Sequence, residues 1–253
     1  MEPVAGMVRD EASLRIPWTE FLSVYSRRQA MDQQQEAQIQ ETWRRNAAPW
    51  AAAVRDQRID SRRLVTDQAI VDAIVRSGPR RVLDAGCGEG WLTRRLSALG
   101  MDVLGTDAEP ALIATATAAG GAYRVLSYAD LDAGALRETF DAVVCNFALL
   151  GRDSTDALFR AAPRLLRPAG ALIVQTLHPH SAGDALPYAD GWRDGSWAGC
   201  GEGFTTPAPW YFRTLESWMH LFCAAGLPRI ELQEPVHPDT GRPASVIFVG
   251  RRA

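Results

Sequence analysis

The chain has 253 residues, 47% hydrophobic and 23% charged, a length that suits one large α/β domain, or one domain plus a small elaboration, and is enough to bury an ample core. Its net charge of −3 argues against a general nucleic-acid binder, whose affinity would come from a basic face neutralising phosphates. All 27 cationic side chains are arginine, so a Schiff base, a lysine general base and a P-loop lysine are excluded, because a guanidinium does not give up its proton.

Residues 1–30 mix Pro3, Gly6, Pro17 and charges with an apolar patch at Trp18, Phe21, Leu22 and Tyr25, and read as an N-terminal arm. Arg9, Asp10, Glu11 and Arg15 interrupt any signal-peptide core, and no run approaches the roughly 18 apolar residues of a membrane span. Residues 31–76 form a helical extension: Ile39 and Trp43, then Trp50 and Val54, are four apart, and Pro49 divides the run into two helices. From residue 77 the period changes. Strands are predicted at 81–85, 101–106, 122–127, 140–146 and 170–177, alternating with helices near 91–99, 109–119, 133–138 and 154–167. A helix at 215–225 then precedes two strands near 229–235 and 244–250. Alternating β and α elements imply parallel strands with helices on both faces, and the final hairpin implies an antiparallel last strand. The expected fold is α/β, a Rossmann-like, mostly parallel seven-stranded sheet. The four cysteines form no C-x-x-C pair, so no metal site and no disulfide framework are indicated, and a reducing cytoplasm is the expected compartment.

The segment Asp84-Ala-Gly86-Cys87-Gly88-Glu-Gly90 lies between a strand and a helix, where glycine lets backbone approach a ligand and helix N–H groups face an anion. The second strand ends in Thr106-Asp107, next to Ala108, placing a carboxylate where both hydroxyls of a ribose could donate to it. The third strand is followed by Asp130-Leu131, a further acid at the same sheet edge. These features point to a nucleotide-type site. The third glycine falls one residue early for the dinucleotide G-x-G-x-x-G, and the missing lysine removes a short-chain dehydrogenase, so an NAD(P)-dependent oxidoreductase is disfavoured.

VLDAGCGEGWLTRRL, GTDAEPALI, YADL, FDAVVCNFALL and LLRPAGALIVQTLHP, in that order, resemble the successive motifs of class I S-adenosylmethionine-dependent methyltransferases over roughly residues 63–178. The resemblance implies that residues 77–253 bind S-adenosylmethionine. It puts the Gly86–Gly90 loop under the methionine part, Asp107 at the ribose, Asp130 and Leu131 at the adenine, and Asn146 and Phe147 at the sulfonium. Asn146 is followed by Phe-Ala-Leu instead of the Pro-Pro-Tyr of many amide methylases, which favours a small-molecule acceptor. The segment Asp60-Ser61-Arg62-Arg63 is similar to one whose arginine pairs with the cofactor carboxylate, and either Arg62 or Arg63 could serve. Trp43 and Trp50 read as core packing or as cofactor-pocket lining.

The fifth strand ends at Thr176-Leu-His178-Pro-His180, beside the ligand edge of an open sheet. His178 is the first choice of general base and His180 a substrate contact, whereas His220 and His237 fall away from the expected site. Residues 179–213 exceed an ordinary connection and carry seven aromatics, so they are expected to form a lid, with Tyr188, Trp192, Trp210 and Tyr211 as acceptor contacts. The resulting expectation is a methyltransferase, monomer or homodimer, acting on an O or N atom of a small planar or largely apolar metabolite, natural-product or quinone-like. The alternative is a non-catalytic S-adenosylmethionine-binding or partner-binding protein of the same fold.

Overall fold

A computed structural model describes residues 18–181 and 187–253. Five parallel strands are laid down with helices between them: β1 (Arg81–Ala85), α3 (Trp91–Ala98), β2 (Asp102–Asp107), α4 (Pro110–Ala118), β3 (Ala122–Val125), α5 (Tyr128–Asp132), β4 (Phe140–Asn146), α6 (Asp153–Leu165) and β5 (Leu166–Thr176). Before them come α1 (Trp18–Arg55) and α2 (Asp67–Ser77); after them come a short ribbon of β6 (Gly191–Arg193) and β7 (Trp210–Phe212), then α7 (Leu215–Ala224), β8 (Arg229–Gln233) and β9 (Val246–Arg251).

The main sheet has the order β3-β2-β1-β4-β5-β9-β8. Only β9 runs against its neighbours, pairing antiparallel with both β5 and β8. The last strand in sequence is therefore the antiparallel one, but it is inserted one place in from the edge. Alternation along each strand divides the core into two layers. Leu83, Val143, Leu172 and Phe248 face one layer with Leu158 and Phe222 of the α6 and α7 side. Val82, Val144, Ile173 and Val249 face the other, with Ile70, Ile74 and Leu92 of α2 and α3. Because β1 to β5 are parallel, their carboxyl ends share one edge, the place where open α/β sheets bind ligands.

Three predicted elements differ. Pro49 does not divide the N-terminal helix, which runs unbroken through it from Trp18 to Arg55; packing of Trp43 and Trp50 on both sides outweighs the roughly 3 kcal/mol that an interior proline costs. The helix predicted at 133–138 is absent. A shorter one forms earlier, at 128–132, because Ser127 and Asp130 make a reciprocal capping box there, and it stops at Gly134, which has φ +86°. The fifth strand begins at Leu166, where the helical pattern had been extended to 167. Among the described residues, no helix is long and apolar enough to cross a membrane.

Candidate active site

The glycine loop is tied to the end of β2. Gly86 N and Cys87 N donate to the Thr106 carbonyl at 2.7 and 2.9 Å. Gly86 has φ +78°, and a Cβ there would stand 2.4 Å from the Tyr128 hydroxyl and 2.5 Å from Ala148 Cβ, so both conformation and space require glycine. Asp107 braces the loop and the start of α4 together: Oδ2 accepts from Gly88 N and Oδ1 from Glu109 N, each at 2.9 Å. Each oxygen keeps lone-pair capacity for a ligand hydroxyl. Burial raises the Asp107 pKa above the usual carboxylate range. Asp84 is fully buried and accepts from Thr93 Oγ1 at 2.7 Å. Burial lifts its pKa to about 7 against that hydrogen bond, with Asp107 and Glu89 adding to the rise.

Between α1 and α2 the backbone makes a π-helical turn over Arg62–Thr66, a distortion that recurs at functional sites. It buries both ends of the turn, Arg62 at 9% exposure and Thr66 at 1%. Arg62 Nε donates to Asp67 at 2.9 Å, and the guanidinium lies over the rings of Trp50 and Trp91 with centroid distances of 5.7 and 4.8 Å. Arg62 Nη2 and Thr66 Oγ1 are both buried without a hydrogen-bond partner. Arg63 instead points outward and pairs with Asp60.

One cavity of about 1850 Å³ runs along the sheet edge under α1 and the lid. Of the predicted cofactor residues it is lined by Arg62, Asp84, Gly86, Cys87, Gly88, Asp107, Ala108, Asn146 and Phe147. Phe147 takes a left-handed φ of +52°, held by its N–H donating to the Gln175 carbonyl at 2.8 Å, and Asn146 Oδ1 is buried without a partner. Four predicted residues lie outside the lining. Gly90 caps α3, Arg63 is on the surface, Leu131 is in the core, and the Asp130 carboxylate is turned back onto Ser127 N and Oγ, so the cavity wall after β3 is made by Leu126, Ser127, Tyr128 and Ala129.

The acceptor-side expectations are corrected more heavily. His178 is 2% exposed and outside the cavity: Nε2 is 2.7 Å from Glu234 Oε1, and Nδ1 accepts from His180 N at 3.2 Å. With both ring nitrogens engaged elsewhere, it cannot reach a ligand in the cavity as a base. His180 stacks on Tyr188 at 4.9 Å, and Tyr188 is anchored to α7 through Leu215 N, so both stand on the far side of the lid. Trp192 donates from Nε1 to Asp32 at 2.7 Å, and Tyr211 is buried between the guanidiniums of Arg152 and Arg213; these two rings pack the lid down. Trp210 alone of the predicted acceptor residues lines the cavity. The indole walls come instead from Trp43, Trp50 and Trp197, mutually packed at centroid distances of 5.2 to 6.4 Å, with Phe204 stacked on Trp197. Their helical spacing on α1 was legible, but their partner in the lid was not.

Residues 83–174 match the methyltransferase domain family. A ubiquinone biosynthesis O-methyltransferase of Xanthomonas oryzae pv. oryzae is 39% identical over 112 residues, 42% of this chain and 46% of that protein, so the chain spans about half the length of the curated relatives it matches. In fold, an S-adenosylmethionine-dependent methyltransferase from Mesorhizobium loti superposes over 72% of this chain and 96% of its own with a TM-score of 0.55 and 23% identity. A glycopeptide N-methyltransferase complexed with S-adenosyl-L-methionine covers 73% of this chain and 93% of its own, with a TM-score of 0.57 and 16% identity. Residues 83–174 are thus similar to a methyltransferase domain, and the chain has the Rossmann-like fold of these solved structures.

Proposed function

We propose that the protein is an S-adenosylmethionine-dependent methyltransferase that methylates a hydroxyl oxygen of a small planar, quinone-like acceptor. The observation that carries this reading is one cavity with two chemically distinct sets of lining groups. The polar set is the glycine loop, Asp84, Asp107 and the unpartnered Arg62 Nη2 and Thr66 Oγ1; the indole set is Trp50, which lies against Arg62, with Trp43 and Trp197 packed on it, and Trp210.

The polar set fits a cationic nucleoside that also carries a carboxylate. Each Asp107 oxygen keeps a lone pair that a ribose hydroxyl could use, the acidic surroundings favour positive charge, and Arg62 with Thr66 offers the donors a carboxylate needs. When bound there, S-adenosylmethionine supplies an electrophilic methyl group on a sulfonium. The chain's own part is to orient and to exclude water, since charge is dispersed in this displacement and positioning contributes most. The indoles offer flat apolar faces to a ring, and the similarity to a ubiquinone biosynthesis O-methyltransferase supports oxygen as the methylated atom.

Calorimetry tests the cofactor. S-adenosylhomocysteine is expected to bind and NAD(P) not to bind, and Asp107→Ala to weaken the former by about 1–3 kcal/mol, the scale of lost hydrogen bonds to a charged group. Unchanged affinity in that variant, or NAD(P) binding in place of S-adenosylhomocysteine, would overturn the assignment.

A further inference from the structure

We propose that Glu36, on α1, is the group that takes the proton from the acceptor's hydroxyl; this rests on the function proposed above. No histidine lines the cavity, and its carboxylates fall into separate groups. Asp84, Glu89 and Asp107 belong to the glycine loop and its strand ends, and Glu109 caps α4; Glu41, Asp60 and Asp132 are paired with arginines; Asp153 and Asp194 are exposed. Glu36 is half-buried and lines the cavity.

Its position is built by two elements. Glu36 Oε1 accepts from Asp153 N at 2.8 Å and from Ser154 N at 3.3 Å, the free amides at the start of α6, so the helix terminus holds the carboxylate in place. Neither donor uses Oε2. Gly151 makes the room: a Cβ there would lie 2.3 Å from both carboxylate oxygens of Glu36. Gly151 closes the stretch that begins at Asn146 and Phe147, which lines the same cavity. The carboxylate therefore abuts the loop that follows β4.

In the step, the acceptor O–H bond breaks and its proton passes to the Glu36 carboxylate as the oxygen takes the methyl group. The sulfonium becomes a thioether, and the cation and the carboxylate charge disappear together. Glu36 returns the proton to water after product leaves.

Glu36→Gln separates this role from the structural one, because a carboxamide oxygen still accepts from the α6 amides but cannot take a proton. The expected result is a thermal midpoint within about 2 °C of wild type, S-adenosylhomocysteine affinity within about two-fold, and methyl transfer to catechol lowered by about 100-fold or more. Gly151→Ala displaces the carboxylate without changing its chemistry and should lower turnover likewise while sparing S-adenosylhomocysteine binding. Wild-type turnover in Glu36→Gln overturns the proposal, as does a wild type that binds S-adenosylhomocysteine yet leaves catechol unmethylated. A wild type that fails to bind S-adenosylhomocysteine overturns the cofactor reading instead.

Discussion

Asp84 closes β1 with Thr93 as its hydrogen-bond donor and Asp107 and Glu89 as neighbours of the same sign, and burial brings its pKa from 3.8 to about 7. A carboxyl raised in this way favours folding while protonated. Its contribution is complete below about pH 3.8 and disappears as pH rises through 7, a difference of about 4 kcal/mol at about 1.4 kcal/mol per unit. Asp84→Asn should therefore be more stable than wild type in urea denaturation at pH 8, with the gap shrinking steadily toward pH 4; a constant gap would rule out the titration. A bound cation reverses the preference, so S-adenosylmethionine binding near pH 6.5 should release a proton, seen in calorimetry as a heat that depends on buffer ionisation. This residue, like Asp107, was legible because a strand end and a glycine loop fix it within a few positions. His178 was not. Leu177 lines the cavity, and side chains alternate at a strand end, so His178 turns to the opposite side, a direction that position in the sequence did not determine.

At the scale of elements, α1 and the lid hold each other. Asp32 of α1 is buried and meets Arg152, at the start of α6, and Trp192 Nε1 of β6; Asn46 Oδ1 accepts from Thr205 N at 2.8 Å; and Trp43 and Trp50 pack on Trp197. Replacing Asp32 by Ala leaves a guanidinium and an indole N–H facing an unfilled space. A loss of about 3 kcal/mol is expected, since removing one partner of a buried pair strands the other. Guanidinium chloride unfolding measures it, and Asp32→Asn, which keeps an acceptor for Trp192, should recover part of the loss. No destabilisation in Asp32→Ala would mean that the lid is held by its aromatic packing alone. The length and aromatic content of residues 179–213 made a lid readable. Which rings face the cavity was decided by pairings across more than a hundred residues of chain, such as Trp192 with Asp32, and local pattern carries no information on those.

For the whole molecule, the alternation of β and α elements fixed a parallel sheet, and parallelism alone brought the ends of β1, β2, β4 and β5 to one edge. The roof over that edge is a different matter, because it joins the first described helix to a segment after β5. α1 connects to the core through residues 56–61, where Gln57 has φ +53°, and the lid connects through the ends of β5 and α7. Since the two are tied to each other by buried polar contacts, the cavity should open by their joint displacement. Hydrogen exchange tests this. S-adenosylhomocysteine at 100 times its dissociation constant stabilises the closed form by about 2.7 kcal/mol, so amides that exchange only through the open form slow by about 100-fold. The slowing is expected together in residues 43–50 of α1 and 195–208 of the lid, and amides of the buried strands β4 and β5 that exchange through global unfolding slow by the same factor, because the ligand binds the folded state alone. In Asn46→Ala, which removes the acceptor for Thr205, the two segments should exchange at different rates even with ligand bound. Slowing confined to the lid in the wild type, with α1 unchanged, would show that the lid moves alone over a fixed helix.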